Sequence, residues 1–163
     1  MVGCLLVGLA AAKALCWRFD LPLLGVDHVQ AHVHTGFLAD PDLPLPALAL
    51  VASGGHTALY WVETLASARL PGQTRDDSAG EAFDKVAKRL GLGYPGGREV
   101  DLHARRGRAD AFAFPRPMLQ EPGLAMSFSG LKTAVALEAA RLEALAGGAL
   151  SAAEICDLCA SFQ

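Results

Sequence analysis

The stretch ALALVASGGHTALYWVE, Ala47 to Glu63, decides the fold. Ala47 to Ala52 is an apolar run of strand length, Ser53-Gly54-Gly55 is turn chemistry, and His56 to Glu63 alternates with period two, so the three pieces read as a β-hairpin. Downstream, Gln73 to Ser78 is polar and predicts a loop. Gly80 to Leu90 then places Ala82, Phe83, Val86, Ala87 and Leu90 on one helical face, with Glu81 and Lys85 at i,i+4 on the surface. The glycine-rich turn Gly91 to Gly97 ends that helix. Glu99 to Arg106 predicts another, Pro115 to Pro122 is irregular, and Ser129 is placed to cap a long helix from Leu131 to about Ala146. Gly147-Gly148 stops it and Ser151 starts the last helix.

Upstream, Gly3 to Arg18 predicts a helix, Leu21 to Val26 a short buried strand, and His28 to about Leu38 a second helix. The segment DPDLPLP, with three prolines between Pro41 and Pro46, breaks the pattern and is the best internal boundary. Helices and strands that alternate in this order predict an α/β fold.

The chain has 163 residues, 14 basic and 17 acidic side chains, and a formal net charge of −3. At 52% hydrophobic and 19% charged it has the composition of a globular protein, and its charge argues against a non-specific nucleic-acid coat while permitting a local basic patch. Met1 to Ala12 is wholly apolar, but it has no basic lead-in, and Lys13 interrupts it before the roughly 20 residues that a span requires, so neither a signal peptide nor a membrane helix is expected. The four cysteines are unevenly spaced and fit a reducing, cytoplasmic setting. Cys156 and Cys159 form a CxxC without a second ligand pair, which favours two core thiols in a helix over a zinc site. The apolar opening helix and the last helix, which lacks a stop signal, both predict an internal fragment of a longer protein.

His28 and His32, four apart, share a helical face and can direct two imidazoles at one metal ion or simply bond to neighbours. The stretch HVQAH lacks the glutamate of HExxH, so a zinc peptidase is not expected. Val51, Ala52, Ser53, Gly54 and Gly55 form a turn that serves either a plain hairpin or a loop offering N–H groups to anionic oxygens. Asp84, and Asp101 one turn inside the helix that follows Tyr94-Pro95-Gly96-Gly97, are either solvated surface acids or acceptors for ribose hydroxyls, with Gly97 allowing a close approach. Arg98, Arg105, Arg106 and Arg108, with Lys85, Lys88 and Arg89, form either a solvated face or a patch for RNA phosphates.

The ordered blocks HVQAH (His28–His32), ALVASGGHT (Ala49–Thr57), DDSAGEAFDKVAKRLGLGYPGG (Asp76–Gly97) and SFSGLKTAV (Ser127–Val135) resemble the tRNA threonylcarbamoyladenosine transferase family, TsaD, formerly called glycoprotease or O-sialoglycoprotein endopeptidase. The resemblance implies the two-lobed ATPase fold shared with actin and sugar kinases (ASKHA), with residues 1–44 ending the first lobe and 45–163 starting the second. It implies transfer of a threonylcarbamoyl group from threonylcarbamoyl-AMP to the exocyclic amine of the adenosine that follows the anticodon, in tRNAs reading codons that start with A. By the same resemblance His28 and His32 ligate a divalent metal, iron or zinc. Val51 to Gly55 contact the acyl-adenylate, and Asp84, Gly97 and Asp101 hold its nucleoside. A paralogous partner subunit and a small ATPase of the transfer complex are implied partners.

The family's first phosphate loop, its asparagine-containing nucleotide contact and its metal-completing aspartate have no counterpart in these residues, and Arg98 stands where the family usually has proline. The chain alone is therefore expected to bind metal weakly and to lack transferase activity. The rival readings are an inactive fragment or the paralogous partner itself, which lacks the metal histidines, and a small-molecule kinase of the same superfamily.

Overall fold

A computed structural model describes residues 2–163. Six helices and one three-stranded sheet follow in the order α1 (Val2–Phe19), α2 (His28–Ala39), β1 (Ala47–Ala52), β2 (Thr57–Thr64), β3 (Ser67–Gln73), α3 (Ala79–Arg89), α4 (Gly96–Ala104), α5 (Ser129–Ala146) and α6 (Ala152–Phe162). The result is an α/β chain whose sheet is wholly antiparallel. It divides into two compact units, Met1–Leu43 and Pro44–Gln163. Met1, which opens the apolar run of the sequence, lies outside the described residues.

The smaller unit is a pair of helices. The α1 helix ends with its C-terminal carbonyls turned toward the following segment, where the Leu21 N–H donates to the Cys16 carbonyl at 2.9 Å. The strand expected over Leu21–Val26 does not form. Pro22 has no N–H to give a ladder, no neighbouring strand offers one among the described residues of this unit, and Leu24 and Val26 stay exposed. Composition alone cannot separate such an apolar run from a buried strand. Asp27 then starts α2 by accepting from the N–H groups of Val29 (3.0 Å) and Gln30 (2.9 Å).

In the larger unit the expected hairpin forms, paired from Ala47 opposite Val62 to Ala52 opposite Thr57, with the second strand starting at Thr57 rather than at the expected His56. A third strand, β3, pairs with β2 over residues that carry no clear alternation, SARLPGQ. It lies at the sheet edge, the one place where Pro71 costs no ladder bond, and its Gln73 extends the sheet into what reads as loop.

The core belongs to the helices. Ala82, Val86, Ala87 and Leu90 of α3 meet Val100 of α4, Leu131, Val135 and Ala139 of α5, and Leu158, Cys159 and Phe162 of α6. Helix α4 begins three residues before the expected Glu99, because the Gly96 N–H is already satisfied from α3. Ser129 does not cap α5. It is the first helical residue, with Phe128 at the N-cap, and the capping acceptor comes from elsewhere in the chain. Ser151 opens α6 through a reciprocal capping box with Glu154.

Cys156 and Cys159 are buried in α6, as core thiols. Desolvation pushes the Cys159 thiol up to about 12. A thiol-reactive disulfide reagent applied to the native chain at pH 8 should therefore titrate exposed Cys4 first and half-buried Cys16 more slowly, and reach Cys156 and Cys159 only in denaturant. Stoichiometric release of four thiols without denaturant would contradict this packing.

Candidate functional site

Three parts of the larger unit converge on the start of α3. In the hairpin turn, the Ser53 N–H donates to the His56 carbonyl at 2.8 Å, while the Ser53 hydroxyl accepts from His56 N–H (3.1 Å) and Gly55 N–H (3.3 Å). Ser53 thus shapes the loop from within, spending its own N–H on His56 and occupying the Gly55 N–H that the sequence offers to an anion. Among the described residues the Gly54 N–H has no such partner.

Ser78 caps α3 by accepting from Glu81 N–H at 3.1 Å, and the Thr57 hydroxyl, first in β2, accepts from Ala79 N–H at 2.8 Å. These bonds draw the helix onto the turn. A Cβ placed on Gly80 would lie 2.6 Å from the Ser53 carbonyl oxygen and 2.8 Å from the Gly54 nitrogen, so only glycine permits this approach. Gly80, absent from the sequence-based candidates, fixes where the Ser53-Gly54-Gly55 turn sits; its signal is spatial and joins residues far apart in the chain.

Asp76 and Asp77 are a second addition. The Asp76 carboxylate accepts from the Ser127 hydroxyl (2.5 Å), Phe128 N–H (2.8 Å) and Ser129 N–H (3.3 Å), and so supplies the cap that α5 lacks locally. Burial raises its pKa, but these donors outweigh it and hold the carboxyl below the ordinary 3.8. Asp77 is held below it too, by the Lys132 ammonium at 2.5 Å and then the Lys85 ammonium at 3.0 Å. The loop between β3 and α3 is thereby tied to the SFSGLKTAV segment.

The nucleoside-binding candidates cluster where α3 meets α4. Asp84 Oδ1 accepts from Gly96 N–H at 2.8 Å, and a Cβ on Gly96 would stand 2.5 Å from the Asp84 Cα, so the two helices touch at this glycine. Gly97, beside it, faces open space. Asp101 is paired with Arg105 at 2.7 Å and accepts from Gln163 Nε2 at 3.3 Å; the arginine first and the amide second lower its pKa. A nucleoside reaching Asp101 must share or displace that arginine. A groove of about 470 Å³ runs along α3 past Asp84 to Gly93 and Tyr94.

The basic residues separate into two groups. Lys85, Arg89, Arg105 and Arg108 are tied to Asp77 and Glu81, Glu143, Asp101 and Asp157 respectively, whereas Lys88, Arg98 and Arg106 have no ion pair among the described residues.

In the smaller unit, His28 and His32 sit one turn apart on α2 with ring centroids 4.6 Å apart in an edge-to-face arrangement. His34 points its Nδ1 at the Gln30 carbonyl, 2.7 Å away. Two adjacent imidazoles fit a pair of metal donors, and no group of three or more His, Cys, Asp or Glu is assembled among the described residues, so this pair alone does not make a full coordination set. No helix is long and apolar enough to cross a membrane, among the described residues.

The family description tRNA N6-adenosine threonylcarbamoyltransferase (TsaD) matches residues 1–163. The chain is similar to curated proteins of that name: 56% identical over 135 residues to the one from Moorella thermoacetica (83% of this chain, 40% of the relative), 51% over 163 residues to that of Geobacter sulfurreducens (100% and 46%), and 48% over 163 residues to that of Syntrophotalea carbinolica (100% and 46%). The chain therefore spans somewhat less than half the length of the curated relatives it matches.

Proposed function

The chain belongs to the tRNA N6-adenosine threonylcarbamoyltransferase family, and from that membership we propose that it carries part of an acyltransferase site that takes threonylcarbamoyl-AMP and modifies the exocyclic amine of the adenosine following the anticodon in tRNAs for codons starting with A. The observation that supports this most is the seating of the Ser53-Gly54-Gly55 turn against the first turn of α3 at Gly80. A helix start carries partial positive charge, and a backbone loop pressed onto it suits an adenylate phosphate.

In this reading, the turn Val51 to Gly55 grips the acyl-adenylate, and the Gly54 N–H is its first available donor. Asp84 keeps one carboxylate oxygen on Gly96 and turns the other to a ribose hydroxyl; Gly97 leaves room for the nucleoside, and Asp101 accepts from the second hydroxyl after exchanging part of its contact with Arg105. His28 and His32 hold a divalent metal, iron or zinc, as two of its ligands. When bound, that metal supplies Lewis acidity to the carbonyl under attack and a template for the threonyl group. The new bond joins the adenosine nitrogen to the carbamoyl carbon while the bond from that carbon to the phosphate oxygen breaks; AMP leaves, and the proton lost from the nitrogen passes to the departing phosphate or to water. No residue of the chain is assigned as the base.

The two units are read as the end of one lobe and the start of the next in an actin-like, sugar-kinase-like ATPase (ASKHA) fold, acting in the cytoplasm with tRNA, a paralogous subunit and a small ATPase. The kinase and paralogous-partner readings are not favoured, because the matched relatives carry the transferase name.

A chimera tests the proposal. The 163 residues replace their counterpart in the Geobacter sulfurreducens relative, with which they align over their whole length, and transfer of labelled threonine to tRNA is followed in the reconstituted system. The expected result is robust modification, weakened about tenfold by Asp84→Asn, the scale of one lost hydrogen bond to a charged group. A folded chimera that binds AMP but transfers nothing would overturn it.

A further inference from the structure

The groove along α3 is not used by the adenylate contacts beyond Asp84, and its far end has a chemistry of its own. Tyr94 stands at its rim with 83% of its surface exposed, an aromatic face that nothing in the larger unit covers. Half-buried Leu92 lines the groove beside it. Of the two lysines in the groove, Lys85 is tied to Asp77 and Glu81, whereas Lys88 is without an ion pair among the described residues. Arg98, exposed in the first turn of α4 four residues beyond Tyr94, is also without one. An uncovered aromatic ring with an uncommitted cation in the same groove is how proteins hold unstacked bases of single-stranded nucleic acid: the ring takes the base, and the cation takes a flanking phosphate.

The geometry points to this groove as a seat for an unpaired RNA base, with Tyr94 as the stacking face and Lys88 as the phosphate contact. Resting on the transferase reading, it specifies where that substrate is held: a looped, single-stranded part of the tRNA lies along α3 next to the nucleoside contact at Asp84. The duplex regions of the RNA are not candidates, because their bases cannot be unstacked onto a side chain without breaking pairs.

The test is fluorescence anisotropy of a labelled anticodon stem-loop RNA with the purified chain, beside equilibrium dialysis of AMP. Tyr94→Ala should weaken RNA binding about tenfold and Tyr94→Phe by no more than about twofold, as expected for a contact made by the ring rather than the hydroxyl. Lys88→Gln should lower the slope of log affinity against log salt by about 0.7, the share of one phosphate on a single strand. All three variants should keep AMP affinity, and the same far-ultraviolet circular dichroism as the parent. Unchanged RNA affinity in Tyr94→Ala overturns the proposal, as does a loss confined to AMP, which would assign the ring to the adenylate. A parent chain that holds AMP but no RNA also overturns it and leaves the transferase reading standing; that reading fails separately, on an inactive chimera.

Discussion

Replacing Gly80 with valine should lower the stability of the chain by about 2–3 kcal/mol, at the upper end of overpacking costs in a well-packed interior. The first added carbon already falls 2.6 Å from the Ser53 carbonyl oxygen and 2.7 Å from its carbon, and neither can move without the turn moving. Alanine introduces the same clash but recovers about 1 kcal/mol from better helix propensity, so Gly80→Ala should sit between the parent and Gly80→Val. In thermal melts followed by circular dichroism the valine variant should unfold about 5–10 °C below the parent. Because the displaced atoms belong to the turn proposed to grip the adenylate, AMP affinity at a temperature where the variant is still folded should also fall by tenfold or more, the scale of about 1.4 kcal/mol. A valine variant that melts with the parent would show that the turn and α3 are not in contact.

Asp76→Ala should also destabilise the chain, although Asp76 is an exposed carboxylate. It removes three donors' acceptor at once, leaves the first amides of α5 without a partner, and unties the loop before α3 from the segment before α5. An N-cap loss costs about 1 kcal/mol, and the remaining hydroxyl contact, discounted for its exposure to solvent, brings the expected total to about 1–2 kcal/mol. The pH dependence follows from the same bonds. Both Asp76 and Asp77 have folded-state pKa values below the ordinary 3.8, so their contribution is fully present above that value and is lost as pH falls through it toward the lower folded values. Urea midpoints should therefore drop between pH 5 and pH 3 in the parent, and drop less in the double variant Asp76→Asn, Asp77→Asn. Equal acid sensitivity in parent and double variant would remove the two carboxylates from the account.

The strongly periodic parts of this fold were legible in the sequence. Helix α3 was readable because Ala82, Val86, Ala87 and Leu90 repeat at helical spacing and are the residues that become buried. The side-by-side placing of His28 and His32 followed from their spacing of four on one helix. What escaped was set by partners distant in sequence. Strand β3 exists because β2 offers it a ladder, and its own residues do not announce it. Leu21–Val26 had the letters of a strand and no neighbour to pair with. The sequence offers Ser129 as the cap of α5, while the actual acceptor, Asp76, stands 52 residues before Phe128. In the candidate site, the turn residues and Asp84 are visible as motif letters, but Gly80, Asp76 and Asp77 join them only when folding places them against the turn and the segment before α5.

Gly96 and Gly97 are the same letter twice, yet they answer to different judges. At Gly96 the protein's own interior forbids a side chain, since the α3 backbone is already there; at Gly97 nothing internal objects, and any veto must come from a visiting molecule. A saturation library built in the proposed chimera and scored once for folding and once for turnover would separate the two columns: the first blank in both screens, the second populated in the folding screen and emptied only where the visitor matters. Adjacent identical letters can thus act as a built-in control, distinguishing what architecture demands from what chemistry demands.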